Sequence, residues 1–164
     1  MSVRGGGARL VVQAWVGTRL LMALVAGVYV LHGAKLGDLL TGWDAAHYLA
    51  IAADGYANPS FVAFFPGWPL LIRVVSLSGV AAVVAGTVLA LLASGVAAAA
   101  LYRMAGSGAA VAWLLAPTAV FTMVPYTESI FCAAAFWAWE RASAKKWPAA
   151  ARSEERRVGK ECRS

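Results

Sequence analysis

Charge is what this chain has least of. Only 13% of its 164 residues are Asp, Glu, Lys or Arg, while 61% are hydrophobic and mean hydropathy is +0.69. A soluble domain carries roughly 25% charge, so the composition excludes one and points to a membrane protein with several apolar spans. Cysteine is scarce as well. Cys132 lies inside an apolar run and reads as a buried thiol, and Cys162 lies in the C-terminal tail; two such residues build neither a disulfide framework nor a zinc cluster. No basic stripe interleaved with aromatics is present, which excludes nucleic acid as a partner. The net charge of +6 sits mostly in short flanks of the apolar runs, an arrangement that suits orientation in a bilayer. A nucleophile elbow, a P-loop and a dinucleotide fingerprint are all missing, and no cofactor is expected. Arg4 and Arg9 form a basic start, but the apolar stretch behind them is long and lacks a convincing cleavage site, so an uncleaved first span is expected.

What is present is a succession of apolar runs. The first covers about 10–31, long enough to cross the hydrocarbon core, with Arg19 as its one blemish. That arginine either snorkels to the surface or marks a span that begins nearer Leu20 and is tilted. Residues 32–75 read as a long loop. Within it, 43–53 has helical character, is too short to span, and is expected to lie at the interface; Gly55, Asn58 and Pro59 break it. A second span is expected over 76–102, with Gly86, Ala90, Ser94 and Ala97 spaced for close helix packing. A tight turn follows over 103–108, then a third span over 109–124 kinked at Pro117, a polar turn at 125–128, and a short fourth span over 129–139. The expected fold is all-α: a polytopic transmembrane helical bundle of about four spans, with an extracytoplasmic loop carrying a short interfacial helix.

Arg4, Arg9, Arg103, Arg141, Lys145 and Lys146 collect on one side of this arrangement, against Lys35 and Arg73 on the other. The bias of Lys and Arg toward cytoplasmic loops puts the N-terminus in the cytoplasm. The 43–69 loop and the 125–128 turn then share the extracytoplasmic side, where two polar patches can build one site.

The loop is where polar chemistry concentrates. Asp44, His47, Tyr48 and Ile51 recur at helical spacing on one face. Asp44 suits a general base that takes a proton from a hydroxyl nucleophile; the plainer alternative is a helix N-cap. His47 suits a phosphate or substrate contact, or simply an interfacial histidine. Asp44 and His47 lack a clear third ligand for a metal, and none is expected. Asp54 reads as the turn residue ahead of Gly55. Tyr48, Tyr56, Phe64, Phe65 and Trp68 suit a sugar or lipid groove, or an aromatic belt at the interface. Arg73 suits a lipid phosphate or a snorkelling role, and Glu128 suits the positive end of a helix dipole.

Three runs, W-D-A-A-H-Y-L-A-I-A-A-D-G-Y from Trp43, A-F-F-P-G-W-P-L-L-I-R from Ala63, and P-Y-T-E-S-I-F from Pro125, together resemble the PIG-V-type mannosyltransferases of the GT-C superfamily. The resemblance covers about 10–150 and corresponds to the N-terminal part of a typical member. It implies a GT-C-like transmembrane domain and an inverting transfer of mannose from a polyprenyl-phosphate carrier to an acceptor hydroxyl outside the cytoplasm. It also implies that Asp44 is the base, and that Trp43, His47, Tyr48, Phe65, Tyr126 and Glu128 stand on the shared motifs. The Ala, Gly and Val bias looks like that of a high-GC bacterium, so the plasma membrane is the expected location. The acceptor is then a glycolipid, glycan or protein rather than a GPI anchor. A non-enzymatic four-span scaffold or transporter piece is the alternative.

Residues 152–164, R-S-E-E-R-R-V-G-K-E-C-R-S, break abruptly from the apolar chain with five basic and three acidic residues. They read either as a solvated cytoplasmic tail or, by resemblance, as the in-frame translation of a sequencing adapter. On the second reading residues 1–151 are the N-terminal part of the domain, and the piece alone is expected to be inactive.

Overall fold

The computed structural model describes residues 3–143. Lys145, Lys146, Cys162 and the 152–164 tail lie outside the described residues. Within them every regular element is helical: α1 (Val3–Leu31), α2 (Leu36–Leu40), α3 (Asp44–Asp54), α4 (Gly67–Ser76), α5 (Ala82–Leu115) and α6 (Glu128–Ser143), with 3-10 turns at Pro59–Ala63 and Pro117–Thr122. Among the described residues two helical stretches are long and apolar enough to cross a membrane, Gly6–Leu31 and Ala82–Leu115. Leu20, Leu21, Leu24 and Val28 of α1 are exposed. An apolar surface of that extent belongs against lipid. The architecture is a helical membrane protein.

α5 is not one rod. Gly106 interrupts it at φ 85°, ψ −179°, a conformation essentially reserved for glycine. Ala98 and Ala110 share an apolar cluster with Val11 and Leu114, whereas a continuous helix would hold those two alanines about 18 Å apart. The chain therefore reverses at Gly106, within the turn expected over 103–108. Segment 82–105 runs antiparallel to α1, and 107–115 runs back. Gly86, Ala90, Ser94 and Ala97 all lie buried along the first segment, as their spacing predicts.

Three expected boundaries change. The second span starts at Ala82, not at 76, because α4 is a separate helix that turns at Gly79 (φ 90°). The third does not continue as a kinked helix to 124. It ends at Leu115, and Ala116 is extended (φ −61°, ψ 142°) ahead of the 3-10 turn, because a residue before proline is driven out of the helical region. The stretch expected as a loop over 32–75 is mostly helical, and α4 buries Trp68, Pro69 and Ile72 in a core with Tyr48, Ala52 and Ala85.

Arg19 also departs from expectation. It neither snorkels nor lies ahead of the span; it is 9% exposed in the middle of α1. At the Gly106 end of the bundle, Arg103 donates from Nε and Nη2 to Glu140 Oε1 (3.0 and 2.8 Å), and Arg141 pairs with Oε2 at 3.4 Å. Both guanidinium groups lie over Trp137.

The reversal makes a prediction with an internal control. Gly106→Ala adds a Cβ that meets no neighbouring atom, so its cost is purely conformational, about 1–3 kcal/mol. Gly108→Ala, two residues on in ordinary helix, is expected to stabilise by about 0.5–1 kcal/mol. Thermal unfolding of the detergent-solubilised variants measures both, and the opposite signs are the test.

Candidate functional site

The polar residues of the loop and of the 125–128 turn meet at the end of the bundle opposite Gly106. α3 begins at Asp44 directly after Trp43, whose φ of 49° is the one positive value at a non-glycine residue among those described. Such a conformation costs free energy and persists only where the surroundings hold it. Trp43 is 79% exposed, with its ring 6.5 Å from that of Phe121. α3 packs through Ala45, Tyr48, Ile51 and Ala52, while Asp44 and His47 stay exposed at its edge. Thus the four residues that share a helical face divide between core and rim. The N-cap position is Trp43, with no side-chain cap, so Asp44 is not the cap that its sequence context allowed; it stands one residue later, in the first turn.

Two buried contacts bring the second motif to α3. Trp68 Nε1 donates to the Pro125 carbonyl at 3.0 Å, and Pro125 rests on Gly86, where an added Cβ would come within 2.8 Å of the proline Cβ. From there Tyr126 Oη donates to the Gly42 carbonyl (3.3 Å), and the Tyr48 hydroxyl lies 3.4 Å from Thr127 Oγ1. Rings continue the lining. Phe121 lies 5.4 Å from Tyr126, and Phe64 lies 5.0 Å from His47 and 5.1 Å, edge-on, from Tyr48. Tyr56 Oη donates to the Phe64 carbonyl at 2.6 Å and ties this aromatic to the loop.

Electrostatics link the two acids. Glu128 is exposed at the head of α6, yet partial burial of its carboxyl raises it above the ordinary glutamate value; its own backbone N–H opposes this and the negative charge of Asp44 adds to it. Burial also raises the Tyr126 phenol; the Asp44 backbone N–H, donating toward the phenol oxygen, opposes this, and the charges of Asp44 and Glu128 add to it. The Asp44 charge contributes to both shifts, behind burial, so the two motifs lie within electrostatic reach of one another.

Of the expected site residues, then, Trp43, Asp44, His47, Tyr48, Tyr126 and Glu128 gather here. Phe65 and Arg73 do not. Phe65 is 78% exposed with its ring against its own Gly67, and Arg73 is exposed in the last turn of α4, past the Trp68 end that reaches the site. The neighbouring Phe64 occupies the inward position instead. Phe121 and Thr127 were not legible as site residues: one sits in an apolar run and the other between two stronger candidates. Asp54 closes α3 ahead of Gly55 (φ 72°), the turn role expected of it. Among the described residues no group of three or more His, Cys, Asp or Glu is placed to hold a metal ion.

An acidic and aromatic cluster at one end of an apolar helical bundle marks the chain as a helical membrane protein with one polar neighbourhood. The chain belongs to the mannosyltransferase (PIG-V) family, whose model matches residues 22–151, and mannosyl transfer is the activity of that family. No curated protein and no solved structure matches the chain.

The raised Glu128 carboxyl has a pH consequence. The folded state binds more protons than the unfolded chain between the ordinary glutamate value and the raised one, so stability falls as pH rises through that interval. Thermal melts across pH are expected to show this decline in the parent chain and to lose it in Glu128→Gln. In Asp44→Asn the decline moves partway to lower pH, because the charge is removed while the larger cause, burial, remains.

Proposed function

We propose that this chain contributes the base and part of the sugar site of an inverting mannosyltransferase that uses a polyprenyl-phosphate-linked donor outside the cytoplasm. The observation that carries the reading is the convergence of Asp44, Tyr126 and Glu128 from two distant segments at one end of the bundle. Asp44 is exposed at the head of α3, open to an incoming hydroxyl. In the proposed step its carboxylate takes the hydroxyl proton of the acceptor, a glycolipid, glycan or protein, as the oxygen attacks the anomeric carbon of mannose. The bond from that carbon to the phosphate oxygen breaks on the opposite face, and the polyprenyl phosphate leaves with the electron pair. The proton ends on Asp44. General-base assistance of this kind is worth about 10²–10⁴-fold in rate.

The exposed Trp43 offers a ring face to the pyranose, the buried Tyr126 backs the site, and His47 and Glu128 offer polar contacts. An apolar groove of about 540 Å³ supports a lipid-linked donor. It begins at Arg19, passes Ala26 and Tyr29 of α1, and reaches Leu36, Leu39 and Leu40 of α2, the helix that leads through Gly42 into the site. Its volume lies in the range of small-molecule sites. The excess of Lys and Arg on the N-terminal side supports the sidedness, and the Arg103–Glu140–Arg141 cluster lies at the end of α6 remote from Glu128.

Asp44→Asn in the full-length, membrane-embedded enzyme is expected to lower transfer from polyprenyl-phosphate mannose by about 10²-fold or more with membrane insertion unchanged. Transfer at the parental rate would remove Asp44 from the chemistry and return the chain to the scaffold reading.

A further inference from the structure

The geometry points to Arg19 as a positioning residue that holds the 122–129 segment in place for the site; this rests on the site reading above. Arg19 is in the middle of α1 and nine-tenths buried. Its Nη1 donates to Thr18 Oγ1 (2.8 Å), and its Nη2 donates to both Ser94 Oγ (2.8 Å) and Thr122 Oγ1 (2.9 Å). Each hydroxyl spends its own proton on a helix or turn carbonyl: Thr18 on Ala14, Ser94 on Leu91, Thr122 on Ala119. All three therefore turn lone pairs toward the guanidinium. The Trp15 indole donates to the same Ser94 oxygen at 3.0 Å.

A neutral donor would satisfy one of these hydroxyls at a lower desolvation cost. A single Nη2 bridges acceptors on α5 and on the 3-10 turn, while Nη1, held by Thr18 of the same helix, fixes the plane of the guanidinium. The segment that needs such a hold is the one after Pro117. Between Met123 and Glu128 it is neither helix nor strand. Its ends are clamped by Arg19 on Thr122 and by Ser129 Oγ, which donates to the Thr122 carbonyl at 3.1 Å. Tyr126, Thr127 and Glu128 lie between those clamps. A helix broken within a bilayer is tolerated where such side chains re-satisfy its backbone and fix its path.

Hydrogen exchange of the full chain in detergent or nanodiscs, read by mass spectrometry, tests this without any substrate. It can therefore fail while the Asp44 reading stands, and the reverse. In Arg19→Met, exchange in peptides covering 122–131 is expected to rise about tenfold, while peptides covering 95–105 stay within about twofold of the parent. Arg19→Lys, which keeps a charge but not the fork, falls between. Thr122→Val leaves Arg19 on Ser94 and is expected to give the same local rise, and it serves if Arg19→Met does not fold. In Thr122→Val the pH-dependent decline assigned to Glu128 also moves to lower pH, as Glu128 and Asp44 separate. Unchanged exchange over 122–131 in Thr122→Val overturns the proposal, as does an equal rise in both regions.

Discussion

A guanidinium buried among apolar helices has to be satisfied by what surrounds it, because water is not there to do it. In this chain three hydroxyls from α1, α5 and the 3-10 turn after Pro117 take the two Nη groups, while the buried Nε has no partner. Much of the architecture follows from that requirement. Ser94 must be fully buried and face α1, which requires the small residues around it to admit Trp15. Thr122 must come back to the middle of the bundle, which requires the chain to reverse at Gly106 and then leave the helix at Ala116. The polar centre thus fixes the register of elements that dispersion alone would allow to slide, since apolar helices in lipid lack a hydrophobic drive toward one particular partner.

The site is built outward from that centre. Thr122 and Ser129 close the segment that carries Tyr126 and Glu128, and Trp68 grips the Pro125 carbonyl from α4. α3 then docks by Tyr48 and Ile51, leaving Asp44 at its exposed head. The surrounding parts are packed and hydrogen-bonded, and the Asp44 carboxylate stands exposed at the end of them. Exposed acid beside buried scaffold is the arrangement the proposed group-transfer role needs, because a base has to meet a substrate hydroxyl yet be held within a fraction of an ångström.

Much of this was legible in the residues. The apolar runs, the turn at 103–108, the small-residue stripe of α5 and the pairing of the 43–56 and 125–128 motifs all follow from composition and spacing. Phe65 and Arg73 show the limit. Adjacent aromatics such as Phe64 and Phe65 have equal claims in a loop that has no periodicity, and only the tie from Tyr56 to the Phe64 carbonyl decides which ring turns inward. Arg73 sits on a helix that could not be told from the start of the next apolar run, since both are built from Leu, Ile and Val.

By itself the sequence determined that this is an apolar helical protein with one polar neighbourhood, because charge content and hydrophobic run length are properties of the chain that no packing can alter. It also marked Pro117 and the glycines as interruptions, through local sterics, but the stop at Leu115 and the start at Ala82 came only from the structure. The tertiary structure decided the rest: that Arg19 turns inward rather than to the surface, and that Asp44 and Glu128, 84 positions apart in the chain, share one electrostatic neighbourhood. Those facts depend on which hydroxyls and carbonyls from remote segments arrive together, and a pairwise meeting of that kind has no signature in any local stretch of residues.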